Sequence, residues 1–286
     1  KEYRRQRQMC IRDRLAALGL TYGSQEAVEF SENIHRVMAI ESYKSSIDMA
    51  YQRGRFPICD VDKEKNNPFV SRVLEQLNPE YKRLYELFGR RNISNLTIAP
   101  TGSISIMTQT TSGIEPCFKV YYIRRRKVND KAKAVFVDEN GDMWEEYRVF
   151  HHGFVEWFRI NVWGRLIYMS DSFASLGATP IECLNNMNKS QLDSLVNSSP
   201  YYKATSEDID YMGKVEMQGK IQRWIDHSIS VTVNMPEQVT ENIVSDVYMK
   251  AYNSGCKGIT VYREGSRNGV LLSDNKKDNA TVDDII

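Results

Sequence analysis

Residues 95–118, NLTIAPTGSISIMTQTTSGIEPCF, say more about the fold and chemistry of this chain than any other segment. A short β-prone run, residues 95–99, leads into Pro100-Thr101-Gly102-Ser103 and then into a series of hydroxylated residues. A glycine in such a turn lets the backbone approach a ligand closely. A helix that follows would direct its free N–H groups and its positive end at the same place. The segment therefore predicts a cradle for an anion, most naturally a phosphate or diphosphate.

Other interpretations of these four residues stay open when they are taken alone. Pro-Thr-Gly-Ser is more often an ordinary turn than a ligand site. The segment is not a P-loop, because the GxxxxGK[ST] pattern and its lysine are absent. The hydroxyl groups of Thr101, Ser103 and Ser105 are the feature that favours an anion cradle over a plain turn.

The flanking segments alternate between helical and β-type patterns. Residues 24–53 predict a helix with Ser24 as its N-cap and Gly54 at its end, and residues 70–88 predict a helical stretch interrupted at Pro79. Residues 228–234 and 257–262 predict strands, with a helix at residues 240–253 between them. This succession predicts an α/β fold with parallel strands. Further predictions are a polar loop at residues 57–68 and helices at residues 150–169 and 206–224.

Residues 124–148 predict a surface excursion in the form of a hairpin, because β-type alternation lies on both sides of a polar turn at residues 138–141. The basic run at residues 124–127 is interpreted as a solvated or subunit-facing patch, and a phosphate contact is the less favoured alternative. The adjacent His151 and His152 are interpreted as part of a helix face without a metal role, since neighbouring residues point in different directions.

Composition and charge exclude several classes of protein. Lys and Arg number 38 and Asp and Glu 37, so the net charge of +1 carries no electrostatic footprint for nucleic acid or an anionic membrane. No apolar run approaches the ~18 residues needed to span a bilayer. The five cysteines are widely spaced, which argues against a disulfide framework or a zinc site and favours a cytoplasmic location. We interpret Cys117, Cys183 and Cys256 as small core residues rather than catalytic thiols.

The beginning of the chain, KEYRRQRQMCIRDR at residues 1–14, is strongly basic and differs abruptly in composition from the residues after it. It resembles the translation of a sequencing adapter, and we predict that it is foreign to the fold; a basic, solvated start of a helix is the alternative. The predicted organisation is therefore a non-native segment at residues 1–14, one domain at residues 15–272 and a polar tail at residues 273–286.

Three ordered blocks of sequence resemble the large subunits of ribonucleotide reductases. In the first, residues 100–104 resemble the family's substrate-phosphate loop, and SGIEP at residues 112–116 resembles its signature. The second block lies at residues 217–236 and contains MQ, IQ, HSIS, TVN and a proline. The third is GCKGITVYREGSR at residues 255–267. The resemblance extends over about residues 15–272. Within the second block, His227 is interpreted as a structural hydrogen-bonding residue rather than an acid or base.

The resemblance implies the C-terminal part of a ten-stranded α/β barrel of the ribonucleotide reductase and glycyl-radical type. It implies an enzyme that converts ribonucleotides to 2′-deoxyribonucleotides by thiyl-radical chemistry, and it implies roles for a small set of residues. Substrate-phosphate binding is expected at Pro100, Thr101, Gly102, Ser103 and Ile104, with Ser105 and Tyr262 as further lining residues. The family's Asn-x-Cys-x-Glu radical loop is not in this sequence, so no catalytic residue is assigned. We expect a chain truncated at both ends and inactive alone.

The cofactor class is inferred from one position. Metal-dependent members carry adjacent tyrosines in the late strand, whereas this chain has a single tyrosine, Tyr262, between Val261 and Arg263. The run TVYREGSR resembles the class that uses adenosylcobalamin, a cobalt cofactor. The resemblance further implies a thioredoxin-type reductant, nucleotide effectors bound by segments absent from the chain, and a homodimer. Alternatives are the iron or manganese class with its small radical subunit, and a non-catalytic split half that pairs with an N-terminal partner.

Overall fold

The computed structural model describes residues 11–130, 134–137, 141–165, 179–206 and 208–266. In chain order, the elements are α1 (Ile11–Ala17), α2 (Gln25–Arg53), α3 (Val61–Glu64), α4 (Pro68–Glu75), α5 (Pro79–Phe88), α6 (Gly102–Thr108), β1 (Tyr121–Val128), β2 (Phe136–Val137), β3 (Met143–Phe150), α7 (His152–Phe158) with a π-helical turn (Arg159–Trp163), α8 (Pro180–Asn186), α9 (Lys189–Asn197), α10 (Tyr211–Gln222), β4 (Thr232–Met235), α11 (Glu241–Asn253) and β5 (Thr260–Arg263).

The first long helices begin and end where the local sequence predicts. Ser24 Oγ accepts a hydrogen bond from Ala27 N at 3.2 Å and caps α2, which ends before Gly54. The predicted interruption at Pro79 separates α4 from α5. Asn78 caps α5, and Pro79 occupies the first turn of the helix, where its missing N–H has no intrahelical partner to lose.

Strands β4 and β5 form a parallel pair, with Thr232 opposite Thr260 and Met235 opposite Arg263. Helix α11 makes the connection between them, so the predicted strand–helix–strand succession is confirmed. The strand predicted at residues 95–99 is reduced to a single parallel bridge between Ile98 and Ile229. It goes no further because Pro100 has no N–H to continue a ladder. The described strands do not close a barrel.

Helix α10 lies at the centre of the packing and contacts both α2 and α11. One side of the parallel pair rests on this helical layer, where Val233 and Met235 pack with Val215 and Val247. The apolar side chains of β4 therefore face helices, and its alternate residues face away from them.

The hairpin predicted on either side of residues 138–141 is present as the antiparallel pair β2 and β3, with Phe136 opposite Trp144 and Val137 opposite Met143. Strand β1 pairs antiparallel with the other edge of β3, with Tyr121 opposite Phe150 and Val128 opposite Met143. Phe150 is buried in a core cluster with Phe154, which attaches the base of the hairpin to the rest of the molecule.

Three of the predicted local elements were wrong in detail. The predicted polar loop at residues 57–68 contains α3, which Asp60 caps. The helix predicted from residue 206 begins at Tyr211, because Asp210 accepts from Gly213 N at 2.8 Å and caps it there. The helix predicted at residues 150–169 becomes a π-helical turn after Phe158. Its last residues, 166–169, lie outside the described part of the chain.

Residues 11–14 belong to the packed structure, although the sequence pattern predicts a foreign segment up to residue 14. Ile11 and Arg12 in α1 are buried, and Asp13 accepts a hydrogen bond from Thr111 N at 3.0 Å. In the structure, these four residues are therefore part of the packed domain. The domain boundaries themselves stay predictions, since residues 1–10 and the tail at 273–286 lie outside the described residues.

Candidate functional site

One face of the parallel strands is polar and open. Thr232 and Asn234 of β4 alternate with its buried apolar residues, and Thr260 and Tyr262 of β5 are exposed. Parallel strands are usually covered on both faces. A hydroxyl-rich exposed face beside them is therefore the natural place to look for a binding site. Residues 95–104 approach it from the neighbouring bridge at Ile98.

The predicted anion cradle is the start of α6, and its first N–H groups are left without a side-chain cap. Thr101 is the N-cap residue, yet it makes no capping hydrogen bond. Its hydroxyl group is instead 3.1 Å from Ser112 Oγ, which also accepts a hydrogen bond from Thr101 N. The N–H groups of a first helical turn have no intrahelical acceptor, so the beginning of α6 can donate to an anion.

The structure brings most of the predicted phosphate residues together on the surface. Pro100, Gly102, Ser103 and Ile104 are exposed, and a side-chain carbon placed on Gly102 would meet no atom within 4 Å. That open space is where a ligand could approach the backbone. Thr101 is half-buried because of its bonds to the returning chain.

The two further lining residues behave differently. Ser105 is buried, and its Oγ donates to Gly102 O at 2.7 Å, so its hydroxyl group supports the helix rather than facing a ligand. Tyr262 is 38% exposed on β5, opposite Asn234.

The chain returns from α6 along a tightly anchored path. Gly113 has a φ of +52°, and a side-chain carbon there would lie 3.1 Å from Ile98 Cγ2. Only glycine takes this conformation at this approach without strain. The hydroxyl group of Tyr22 on the loop before α2 donates to Ile114 O at 2.5 Å. Burial raises the pKa of Tyr22, so it remains a donor.

Glu115 ends the return path by joining three segments. Its Oε1 accepts from Thr232 N of β4 at 2.6 Å, and its Oε2 accepts from Lys214 Nζ of α10 at 2.6 Å. Lys214 is buried and also donates to Thr232 O. Burial lowers the pKa of Lys214, and the facing Glu115 carboxylate opposes that shift.

Lys214 is the first of three buried polar residues spaced four apart along α10. Gln218 Nε2 donates to Gly258 O at 2.7 Å, and Gln222 Nε2 donates to His227 O at 2.8 Å. This spacing places all three on one helix face. The motif glutamines therefore hold the chain segments that lead into β4 and β5, the strands of the open polar face.

The entry to the predicted loop is anchored by a carboxylate. Asp226 accepts from Asn95 N and from Leu96 N, both at 2.7 Å. The next residue, His227, lies 2.5 Å from Ser94 Oγ through its Nε2 atom. The structural interpretation of His227 agrees with this contact.

Sequence reasoning missed Lys214 and Asp226 and assigned no role to Glu115. No local signal singles out Lys214, because polar residues recur at every second position from 214 to 222, with Glu216 and Lys220 between the buried ones. Nothing local marks the carboxylates, because their partners lie 117 and 131 residues away.

Cys117 and Cys183 are buried and Cys256 is half-buried, while the arginines of the basic run lie opposite acidic side chains. Burial raises the pKa of Cys117 to about 11 and that of Cys256 to about 11, so both thiols are protonated at neutral pH. On the hairpin, Arg125 and Arg126 form ion pairs with Glu146 and Glu145 across the strands. The basic run is thus a solvated surface with acidic partners.

The parallel strands, the helices packed on them and the uncapped loop define the class: an α/β domain with a candidate phosphate loop. The chain belongs to the ribonucleotide reductase barrel-domain family, whose model, described as "Ribonucleotide reductase, barrel domain", matches residues 8–262. The predicted fold class is confirmed by this match.

Several relatives agree with that assignment. The vitamin B12-dependent ribonucleoside-diphosphate reductase of Mycobacterium tuberculosis (strain ATCC 25618 / H37Rv) is 28% identical over 265 residues, 93% of this chain and 31% of that protein. The enzyme of the same description from Thermoplasma acidophilum is 28% identical over 265 residues, 93% of this chain and 28% of that protein. The chain thus spans about three-tenths of the length of these relatives.

A solved structure shows the same fold. The class Id ribonucleotide reductase alpha subunit of Actinobacillus ureae matches 90% of this chain and 38% of its own length, with a TM-score of 0.55 and 16% identity. At this identity the match concerns the fold alone. Among the described residues, no helix is long and apolar enough to cross a membrane.

Proposed function

We propose that this chain is part of a ribonucleotide reductase and supplies the loop that binds the substrate's phosphate groups. The whole enzyme would convert ribonucleotides to 2′-deoxyribonucleotides. Pro100, Thr101, Gly102, Ser103 and Ile104 would surround the phosphates, with backbone N–H groups and the Ser103 hydroxyl group as donors. The supporting observation is the uncapped start of α6, since the Thr101 side chain bonds to Ser112 instead of closing the helix end.

The chemistry of this loop is binding and orientation. Its N–H groups and the helix dipole favour negative charge at the phosphate end of a nucleotide. A nucleotide held there would lie against the open face of β4 and β5, where Thr232, Asn234 and Tyr262 provide polar groups. We assign no catalytic residue to this chain.

We propose adenosylcobalamin as the cofactor of the whole enzyme, because the names of the relatives specify vitamin B12. The described residues do not themselves fit this group. Two clefts, of about 210 and 410 Å³, lie on the helical side around α4, and such volumes suit ligands of drug size or smaller. We assign no contact with the cofactor to the residues of this chain.

The proposed partners rest on the same assignment. They are a ribonucleotide substrate, a thioredoxin-type reductant, nucleotide effectors and a second copy of the subunit. The metal-dependent class would instead require a small radical-generating subunit. A reductase that needed such a subunit and worked without cobalamin would replace the adenosylcobalamin proposal.

Replacing Gly102 with valine tests the loop assignment. A Cβ atom at Gly102 meets no atom within 4 Å, so folding should be retained, but the valine side chain fills the space through which a phosphate approaches the backbone. We expect the dissociation constant for inorganic pyrophosphate, measured by calorimetry on this chain, to rise by at least about tenfold, or ~1.4 kcal/mol.

Gly258→Val is the matched control, because a side-chain carbon at Gly258 also meets no atom within 4 Å. Gly258 lies before β5, outside the loop, and its substitution should leave pyrophosphate affinity unchanged. Equal affinity of the wild-type chain and the Gly102→Val chain, both folded, would remove the phosphate-loop assignment.

A further inference from the structure

The hydrogen-bond ladder between the loop strand and β4 is completed by a side chain. Ile98 N donates to Ser228 O at 3.3 Å, and Ser230 N donates to Ile98 O at 2.8 Å. Two residues further on, Thr232 N faces the point where the loop strand has left the sheet at Pro100. Its acceptor is Glu115 Oε1, at 2.6 Å. A carboxylate thus takes the position that the next carbonyl group of a continuing strand would occupy.

The carboxylate is fixed in that position by a buried cation. Only 4% of the Lys214 side chain is exposed, and its ammonium group lies 2.6 Å from Glu115 Oε2 while also donating to Thr232 O. A buried ammonium group without a carboxylate would cost several kcal/mol, so the two groups hold each other in place. The backbone N–H and C=O groups of Thr232 are therefore both hydrogen-bonded to this ion pair.

The same ion pair sets where the loop can lie. Glu115 is two residues after Gly113, which is pressed against Ile98, and three residues after Ser112, which binds Thr101 at the start of α6. The return path from Ser112 to Glu115 is short and tightly packed. A shift of Glu115 would consequently be passed through Ser112 to the N–H groups at the beginning of α6.

We propose that Glu115 and Lys214 are positioning residues for the loop: they hold the uncapped start of α6 at the polar edge of the sheet. This proposal rests on the proposed phosphate-binding function of the loop. Neither residue touches the ligand. The ion pair positions the start of α6 through the contacts between Ser112 and Thr101. Loss of the pair should displace the N–H groups of Gly102, Ser103 and Ile104 without unfolding the chain.

The test compares Glu115→Gln with Val247→Ala on the whole 286-residue chain. Glutamine keeps the size of the side chain but leaves Lys214 without its counter-charge. Val247 of α11 packs with Ala251 of the same helix and with Val215 of α10 in a core cluster, so its truncation lowers stability by removing packing. Both variants are examined at a temperature at which thermal denaturation shows each to be folded.

Two measurements are made on each variant. The first is the amide chemical shift of Gly102, Ser103 and Ile104, together with hydrogen exchange at Thr232 N, by NMR spectroscopy. The second is the dissociation constant for inorganic pyrophosphate. We expect Glu115→Gln to move the three amide signals, to speed exchange at Thr232 and to weaken pyrophosphate binding by about tenfold. Val247→Ala should change none of these.

The proposal is overturned if Glu115→Gln lowers the melting temperature but leaves the loop signals and the affinity as they are in Val247→Ala. Lys214→Met provides a second variant, which removes the cation and should move the same three amide signals. If the wild-type chain binds no pyrophosphate, the proposed function fails. In that case the amide signals alone decide the positioning role, since they require no ligand.

Discussion

The protonation of a single residue, His151, makes the free energy of unfolding depend on pH. It is the N-cap residue of α7, and its ring lies 3.3 Å from Arg12 Nη1 and 3.5 Å from Asp13 Oδ1. Burial, and secondly the charge of Arg12, lower the pKa of His151 to about 4, while Asp13 opposes the shift. The folded chain therefore keeps this ring neutral where the unfolded chain would protonate it.

The consequence is a loss of stability as pH falls through the window between the unfolded pKa of 6.5 and the folded pKa of about 4. We expect the free energy of unfolding, measured with urea, to fall by roughly 2 kcal/mol at this residue between about pH 7 and about pH 5. His151→Asn should flatten that dependence. His152→Asn, at an exposed neighbour, should retain it.

Burial also lowers the pKa of His35, so a shallower slope of the same sign should persist in the His151→Asn chain. An identical pH dependence in the wild-type chain and in His151→Asn would show that this ring is not the group responsible.

At the scale of elements, one ion pair holds the helical lobe that precedes the loop. Arg90, which follows α5, donates to both carboxylate oxygens of Glu64 on α3, with its closest contact at 2.6 Å. Its Nη1 donates to Asn92 O and Ile93 O, both at 2.8 Å. Tyr85 OH on α5 donates to the same Glu64 carboxylate at 2.9 Å. The pair therefore connects α3, α5 and the chain that leads toward Asn95.

Replacing Arg90 with lysine should destabilise the chain by about 2–4 kcal/mol, because an ammonium group cannot make the two-point contact with Glu64 and reach the carbonyl groups as well. Chemical denaturation measures this loss. Arg159→Lys is the matched control. Its partner Glu156 lies three residues away on an exposed surface, where solvent screening leaves such a pair little influence on stability. Similar losses in the two variants would contradict a special role for the buried pair.

At the scale of the whole molecule, the proposed function places the substrate against the open polar face of β4 and β5. Tyr262 is the only tyrosine in β5, where it lies between Val261 and Arg263. A radical relay along adjacent tyrosines would need a second tyrosine beside it. The proposed cobalamin class makes no use of such a relay.

In a complete reductase that contains this chain, Tyr262→Phe should therefore retain most of its turnover number. The added cofactor in that assay is adenosylcobalamin, and circular dichroism confirms the fold. A complete loss of turnover with the fold preserved would count against the cobalamin proposal and favour the metal-dependent class.

Much of the fold and part of the candidate site could be predicted from the local sequence. Ser24, Asn78 and Thr240 cap their helices within one turn, and the β-branched composition of β4 and β5 identifies both strands. The start of α6 was predicted as well, because a glycine and a run of hydroxylated residues are visible without tertiary information. The loop's exposure agrees with that prediction, while its binding of phosphate stays a proposal.

What the sequence by itself determined are the features set by near neighbours: caps, helix and strand periods, and the glycine that opens the loop. The tertiary structure alone decided the rest. Lys214 meets Glu115 across 99 residues, Glu115 meets Thr232 across 117, and Asp226 meets Asn95 across 131. The physical reason is that an ion pair or a carboxylate–amide bond depends on distance in space. A local pattern records only what lies within a few residues along the chain.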